Sequence, residues 1–168
     1  NDSDLFWKSP YLGILKGAND VKSFGVQVNN FTFNQYDPHS YLNTFHALLE
    51  TSPTAVIMVP NFSKETKQIV SKLETLNIPY LFLNIDIDGF NNKAFVGQDS
   101  YIAGYIAGKL MNLSIPKPST FLIIQARHNI TKNNAVSNRI KGFNDYFLKN
   151  KINSKTQTLK IESLNSSF

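Results

Sequence analysis

Short apolar runs alternate with amphipathic segments along most of this chain of 168 residues. Residues 55–59, 78–83 and 121–125 are almost wholly apolar, which is typical of strands covered on both faces in a parallel sheet. The segments between such runs repeat apolar residues every three or four positions, as amphipathic helices do. This alternation predicts an α/β fold with doubly wound parallel sheets and helices on both faces.

Weaker signals complete the predicted order of elements. Three further strands are predicted at residues 26–33, 95–97 and 158–164. Asp37 followed by Pro38 predicts a helix start, with the aspartate as cap and the proline in the first turn. Ser63 is the expected cap of the next helix, and residues 1–10 are expected to form a loop.

Residues 95–111 predict a strand, a polar turn and a helix in direct succession. Asp99 suits the N-cap position, because its carboxylate can accept from free N–H groups of the first turn. The helix carries one apolar stripe, formed by Ile102, Ile106 and Leu110. Gly104 and Gly108 predict close approach of a neighbouring surface, which is either the sheet of the same chain or a second copy.

Composition excludes several classes of site. The chain has no cysteine, so it has neither disulfides nor thiolate metal ligands. Its 17 basic residues are scattered without a run of five, which does not support a nucleic-acid surface on this chain. No apolar stretch reaches the ~20 residues of a membrane span. His39, His46 and His128 are too dispersed for a metal site, and no cofactor is predicted.

The motifs of common enzymes are missing from the sequence. It contains no GxSxG, no P-loop and no GxGxxG. Asp86 and Asp88 are a closely spaced carboxylate pair after a predicted strand, and alternation in an extended segment would put both on one side. Nothing else supports a glycosidase pair, so we expect a binding protein and not an enzyme.

Polar residues follow the predicted strands, and ligands bind outside the carboxyl ends of strands in open parallel sheets. The residues selected by this rule are Phe6, Trp7, Asn61, Phe62, Asn84, Asp86, Asp88, Gln98, Asp99, Arg127 and His128. Aromatic rings stack on apolar sugar faces, and planar polar groups form paired hydrogen bonds to vicinal hydroxyls. The set therefore favours a sugar pocket.

Several motifs, in order, resemble the LacI/GalR family of transcriptional regulators, including Bacteroides-type members, and the periplasmic sugar-binding proteins that share its core. They are Phe6-Trp7 before Gly17-Ala18, the turn from Phe33 to Pro38, the crossover with Val96-Gly97, Asp99 and Gly104, and Arg139 with Gly142-Phe143 in an RxxGF pattern. The resemblance implies a two-lobed, type I periplasmic-binding-protein-like fold that closes around a ligand. It implies an N-terminal lobe over residues 1–98 and the first part of a C-terminal lobe over residues 99–168.

The resemblance also implies that the core is incomplete here, because no strand precedes Phe6 and the second lobe stops at its second strand. It implies ligand contacts from Phe6, Trp7, Asn61, Asn84, Asp86, Arg127 and Arg139. Arg139 is the contact it supports best. The family usually has an aspartate where this chain has Asn84, so either Asn84 or Asp86 fills that role.

Structural alternatives remain open for these residues. Trp7 could cap the core beside the first helix, and Arg139 could form a surface ion pair. Asp86 and Asp88 could serve only as turn residues.

Two functions fit the resemblance. The first is the sugar-effector core of a cytoplasmic, homodimeric LacI-type regulator, whose DNA-binding helix-turn-helix precedes Asn1 and binds operator DNA. The second is a periplasmic sugar-binding protein or sensor for transport or signalling. The turn at residues 33–38 favours the regulator, and the sequence upstream of Asn1 would distinguish the two.

Overall fold

The computed structural model describes residues 5–115, 117–126 and 134–161. The helices are α1 (Leu5–Val21), a 3-10 turn (Lys22–Phe24), α2 (Pro38–Glu50), α3 (Ser63–Thr75), α4 (Ser100–Ser114) and α5 (Asn134–Lys149). The strands are β1 (Val56–Met58), β2 (Tyr80–Leu83), β3 (Phe95–Val96), β4 (Thr120–Ala126) and β5 (Lys155–Ile161). The α/β fold class is confirmed, and the chain forms two compact units, Asn1–Pro53 and Thr54–Phe168.

The first unit contains α1 and α2. The predicted start of α2 is confirmed, because the Asp37 carboxylate accepts from the His39 N–H at 2.9 Å and Pro38 is the first helical residue. Tyr41 and Phe45 are buried on α2, and the Phe33 ring lies 4.6 Å from the Tyr41 ring. These aromatic contacts anchor the segment that leads into α2.

Two predictions for the first unit are wrong. Residues 26–33 form no strand, because within the described ranges nothing pairs with their backbone and a strand needs a hydrogen-bonded neighbour. The segment predicted as a loop at residues 1–10 is helical from Leu5 onward. Pro10 lies inside α1, where the fixed φ of proline is compatible with a helix although its missing N–H removes one bond.

The second unit begins with a three-stranded parallel sheet in the order β1-β2-β3. Val56 pairs with Tyr80 and Phe82 with Phe95. Phe82 and Leu73 are fully buried in the core. The expected cap of α3 is corrected: Phe62 takes the N-cap position without a side-chain bond, and Ser63 is the first helical residue.

A second, two-stranded parallel sheet joins β4 to β5, and its core is aromatic. Phe121, Tyr146 and Phe147 are buried together, with Phe143 packed against them. β5 begins at Lys155, three residues before the predicted strand, and residues 162–164 of that prediction lie outside the described ranges. The two sheets share no strand. The compact units divide after Pro53, and the lobe boundary near residue 98 stays a prediction.

The helix after β3 is capped as predicted, since the Asp99 carboxylate accepts from the Ile102 N–H at 2.9 Å. Its buried face differs from the prediction. Ile102 and Ile106 are about half exposed, whereas Gly104 and Gly108 are buried against α5 instead of a sheet. A Cβ at Gly108 would lie 2.9 Å from the Phe143 carbonyl oxygen, so these helices pack backbone to backbone.

Candidate functional site

A pocket of about 340 Å³ lies where β2 and β3 end and α4 begins. It is lined by Asn84, Asp86, Asp88, Phe95, Gly97, Gln98, Asp99, Ser100, Tyr101, Ala135 and Asn138. This is the carboxyl end of the first sheet, where ligands bind in open parallel sheets. We call it the strand-end pocket.

The pairing of β2 with β3 brings the two polar segments of this pocket together. Leu83 pairs with Val96, and the next backbone N–H, that of Asn84, donates to the Val96 carbonyl at 2.8 Å. Gly97 makes this approach possible, since a Cβ there would lie 3.3 Å from the Asn84 Cα and 2.7 Å from Cε2 of Phe95. A larger residue would have to displace the Phe95 ring and would crowd the Asn84 backbone.

Asn84 has a left-handed backbone conformation, with φ of +66°. Asparagine adopts this conformation more readily than most residues other than glycine. The exposed side chain offers both a donor and an acceptor at the mouth of the strand pair. The asparagine therefore suits the turn as well as contact with a hydroxylated ligand.

The pocket is rich in hydrogen-bond acceptors. Asp86, Asp88 and Asp99 contribute carboxylates, and none of the described lining residues is basic. One Asp99 oxygen already accepts from the Ile102 N–H as a helix cap. Carboxylates accept from hydroxyl groups, and the amides of Gln98 and Asn138 can donate as well. The lining is chemically suited to a neutral, hydroxyl-rich molecule.

Tyr101 joins this pocket to α5. Its hydroxyl donates to Oδ2 of Asp145 at 3.0 Å and accepts from Nζ of Lys149 at 2.9 Å. The hydrogen bond that the Lys149 ammonium donates to Tyr101 favours the charged form and raises the pKa of Lys149 above its ordinary value. These contacts fasten the start of α4 to α5, which supplies Ala135 and Asn138 to the pocket.

Five residues selected by the strand-end rule line this pocket: Asn84, Asp86, Asp88, Gln98 and Asp99. Two of the seven ligand contacts implied by the resemblance are among them, Asn84 and Asp86. Arg139 is exposed on α5 beside the lining residue Asn138, and its backbone packs against Gly104. Asn61 follows β1 and is not among the lining residues.

The structure does not test the other predicted contacts against this pocket. Phe6 and Trp7 belong to the first unit, where their rings meet edge to face at 5.2 Å. Arg127 lies outside the described residues, as does His128. All seven assignments as ligand contacts stay predictions.

Sequence reasoning missed Asn138. Gln98 and Asp99 follow a strand and are found by the strand-end rule, whereas Asn138 lies on a helix. It reaches the pocket because the packing of α5 against α4 sets where α5 begins, and no local signal encodes that placement.

In the described ranges, no group of three His, Asp or Glu side chains is placed to hold a metal ion. Within the same ranges no helix combines the length and apolar character needed to cross a membrane.

Comparison with known proteins places the fold. A family model for the periplasmic binding protein domain matches residues 1–166. No curated protein sequence matches the chain.

Solved structures superimpose on most of the chain. A protein assigned as a LacI transcriptional regulator from Bacteroides fragilis aligns at a TM-score of 0.78 and 24% identity, over 95% of this chain and 56% of its own. An arabinose-binding protein from Geobacillus stearothermophilus gives 0.74 and 19%, over 94% and 52%. A glucose-galactose binding protein from the same species gives 0.70 and 21%, over 92% and 53%. The chain thus spans little more than half the length of these structures.

Proposed function

The chain belongs to the periplasmic binding protein domain family, and we propose that it is part of the sugar-binding core of a LacI-type transcriptional regulator. The family indicates a binding domain and not an enzyme. The observation that carries the sugar proposal is the strand-end pocket, whose carboxylates and amides match the hydrogen-bonding needs of a polyol. The solved sugar-binding proteins with this fold support the same ligand class.

In this proposal, Asn84 and Asp86 hold sugar hydroxyls at the strand ends, and Asn138 extends the contact from α5. Arg139 adds a planar guanidinium with several donors, which suits paired contacts to vicinal hydroxyls. Phe6, Trp7, Asn61 and Arg127 are proposed contacts on the resemblance alone.

Control of DNA binding would follow from a shift between conformations. A ligand that makes more contacts in the closed state of a two-lobed core favours that state by its difference in affinity. Closure would then alter a homodimer whose operator-binding helix-turn-helix lies outside this chain. A cytoplasmic location belongs to the same proposal.

Two observations favour the regulator. The turn at residues 33–38 carries the Bacteroides-type motif and forms a defined structure, with the Tyr36 N–H donating to Oδ1 of Asn34 at 3.0 Å. The Bacteroides fragilis regulator is also among the matched structures.

A periplasmic sugar receptor is the second candidate. It is favoured by the sugar-binding proteins among the matched structures, which share the fold at similar TM-scores.

The test uses the full-length protein and a panel of monosaccharides in titration calorimetry, followed by DNA binding with and without the sugar that binds. A regulator binds operator DNA, and the sugar changes that affinity. Sugar binding without any DNA binding, together with a signal peptide upstream of Asn1, would establish the receptor. A protein that binds none of the sugars would contradict both candidates.

A further inference from the structure

A second pocket, of about 600 Å³, lies between α5 and the carboxyl-terminal halves of β4 and β5. It is lined by Gln125, Ser137, Ile140, Lys141, Asn144, Asp145, Thr158 and Lys160. We call it the α5 pocket. None of these residues lines the strand-end pocket, so the two sites are separate.

The side chains between α5 and the second sheet are aromatic at one end and polar at the other. At one end Phe121 packs on Phe147 with ring centres 5.1 Å apart. Four residues along β4, Gln125 shares the face of Phe121, because side chains alternate along a strand. Gln125 pairs in register with Lys160, so a layer that is normally apolar ends in polar side chains.

Asn144 supplies an unsatisfied acceptor in this lining. Its Oδ1 atom is buried from solvent and has no hydrogen-bond partner among the described residues. Leaving a buried acceptor unpaired costs free energy, which is recovered when a donor reaches it. A ligand hydroxyl in the pocket would supply that donor once the Asn144 side chain turns toward it.

The charges of the lining favour an anion. Lys141 and Lys160 contribute two ammonium groups, whereas the single carboxylate, that of Asp145, already accepts from the Tyr101 hydroxyl at 3.0 Å. Ser137 and Thr158 add hydroxyl groups that can donate to anion oxygens.

We propose that the α5 pocket binds a small oxyanion that keeps a hydroxyl hydrogen, of which hydrogen phosphate is the simplest. The lysines attract the charge, and the hydroxyl satisfies Asn144. This site is independent of sugar binding in the strand-end pocket.

A comparison of phosphate with sulfate tests the need for a hydroxyl separately from the need for negative charge. In mildly alkaline buffer both are mainly doubly charged, but only hydrogen phosphate has a hydroxyl to donate. Titration calorimetry on the full-length protein should give phosphate an affinity about tenfold higher than sulfate, the range expected for one hydrogen bond to a buried polar group. Asn144→Leu should abolish this preference, whereas Asn153→Leu, the same change at an exposed position outside the pocket, should keep it.

Lys160→Gln should weaken the binding of both anions and preserve the ratio of their affinities. This second variant keeps the test decisive if Asn144→Leu fails to fold. Sugar binding serves as the check that each variant is native. Absent phosphate binding, equal affinity for the two anions, or a preference that survives Asn144→Leu would each overturn the proposal.

Discussion

The two sheets of the second unit reach their packing in different ways. Beside the first sheet, side chains fill the core, and Phe82, Leu73 and Ile69 have at most 1% of their surface exposed. Beside the second sheet, α4 and α5 meet through their glycines, while Leu122 and Ile124 on β4 remain about 60% exposed. The first region depends on side-chain volume, whereas the second adds close backbone approach between α4 and α5 to its aromatic core.

This difference predicts opposite sensitivities to substitution. Large-to-small changes should damage the first region, because each leaves a cavity. Small-to-large changes should damage the seam between α4 and α5, because the obstructing atoms there belong to backbone, which cannot rotate away.

The largest effect is expected from Phe82→Ala, which removes a fully buried ring from the first region. The free energy of unfolding should fall by about 3–5 kcal/mol. Leu122→Ala on β4 truncates a side chain that is 59% exposed, and it should cost less than ~1 kcal/mol. Urea unfolding of both variants measures this, and equal losses would remove the contrast between the regions.

Arg139→Ala tests whether an exposed side chain of the second region contributes to sugar binding. The Arg139 backbone packs on Gly104, but its side chain is exposed. Losing a charged hydrogen-bonding group should weaken sugar binding by roughly 1.5–3 kcal/mol, or about 10- to 150-fold. The melting temperature should hardly change, and a large drop without ligand would support a structural role instead.

Gly104→Ala should lower the free energy of unfolding by about 1–3 kcal/mol. The new Cβ would overlap the Arg139 carbonyl. Gly17→Ala is the control, because that helical glycine has nothing within 4 Å and alanine favours a helix by up to ~1 kcal/mol. Thermal melting should show opposite signs for the two variants, and stabilisation by both would contradict backbone packing at the seam.

Tyr80→Phe probes the polar contact at the edge of the first region. Burial, together with its bond to Glu74 at 3.1 Å, raises the pKa of Tyr80 from 10.0 to about 12. Because the folded state holds this proton more tightly, the stabilisation is complete below pH 10.0 and is lost as pH rises toward about 12.

At neutral pH the Tyr80→Phe variant should lose about 1 kcal/mol. Between pH 10.0 and about 12 the difference in free energy of unfolding between the variant and the wild type should shrink as Tyr80 ionises. Urea unfolding at neutral and at alkaline pH measures this difference. A difference that grows with pH would contradict the assignment.

The same contrast explains what could be predicted from sequence. Residues 55–59 and 78–83 were recognisable as strands because buried parallel strands are continuous apolar runs. The stripe of Ile102, Ile106 and Leu110 was also recognisable, yet small residues on the neighbouring face brought the backbones closer and became the buried side. Periodicity identifies an apolar face but does not show which neighbour covers it.

The residues of the candidate site also divide into those that the sequence predicts and those that it does not. Asn84 and Asp86 follow a strand, so the rule that ligands bind at strand ends selects them from sequence. Asn138 lines the pocket because of where α5 lies. Residues 26–33 do not form the predicted strand, because a strand needs a hydrogen-bonded partner. Both outcomes depend on tertiary neighbours that local sequence does not encode.

The claim that the strand-end pocket binds the ligand is tested most directly by two asparagines that share a backbone conformation. Asn84 and Asn77 are both exposed with positive φ, +66° and +55°, but only Asn84 lines the pocket. Changing either to alanine should cost similar stability, since both lose a side chain that tolerates this conformation.

Titration calorimetry of the full-length protein with its sugar should therefore separate the two variants. Asn84→Ala should weaken sugar binding by about tenfold, and Asn77→Ala should bind like the wild type. Equal affinity in both variants would contradict the strand-end pocket as the binding site.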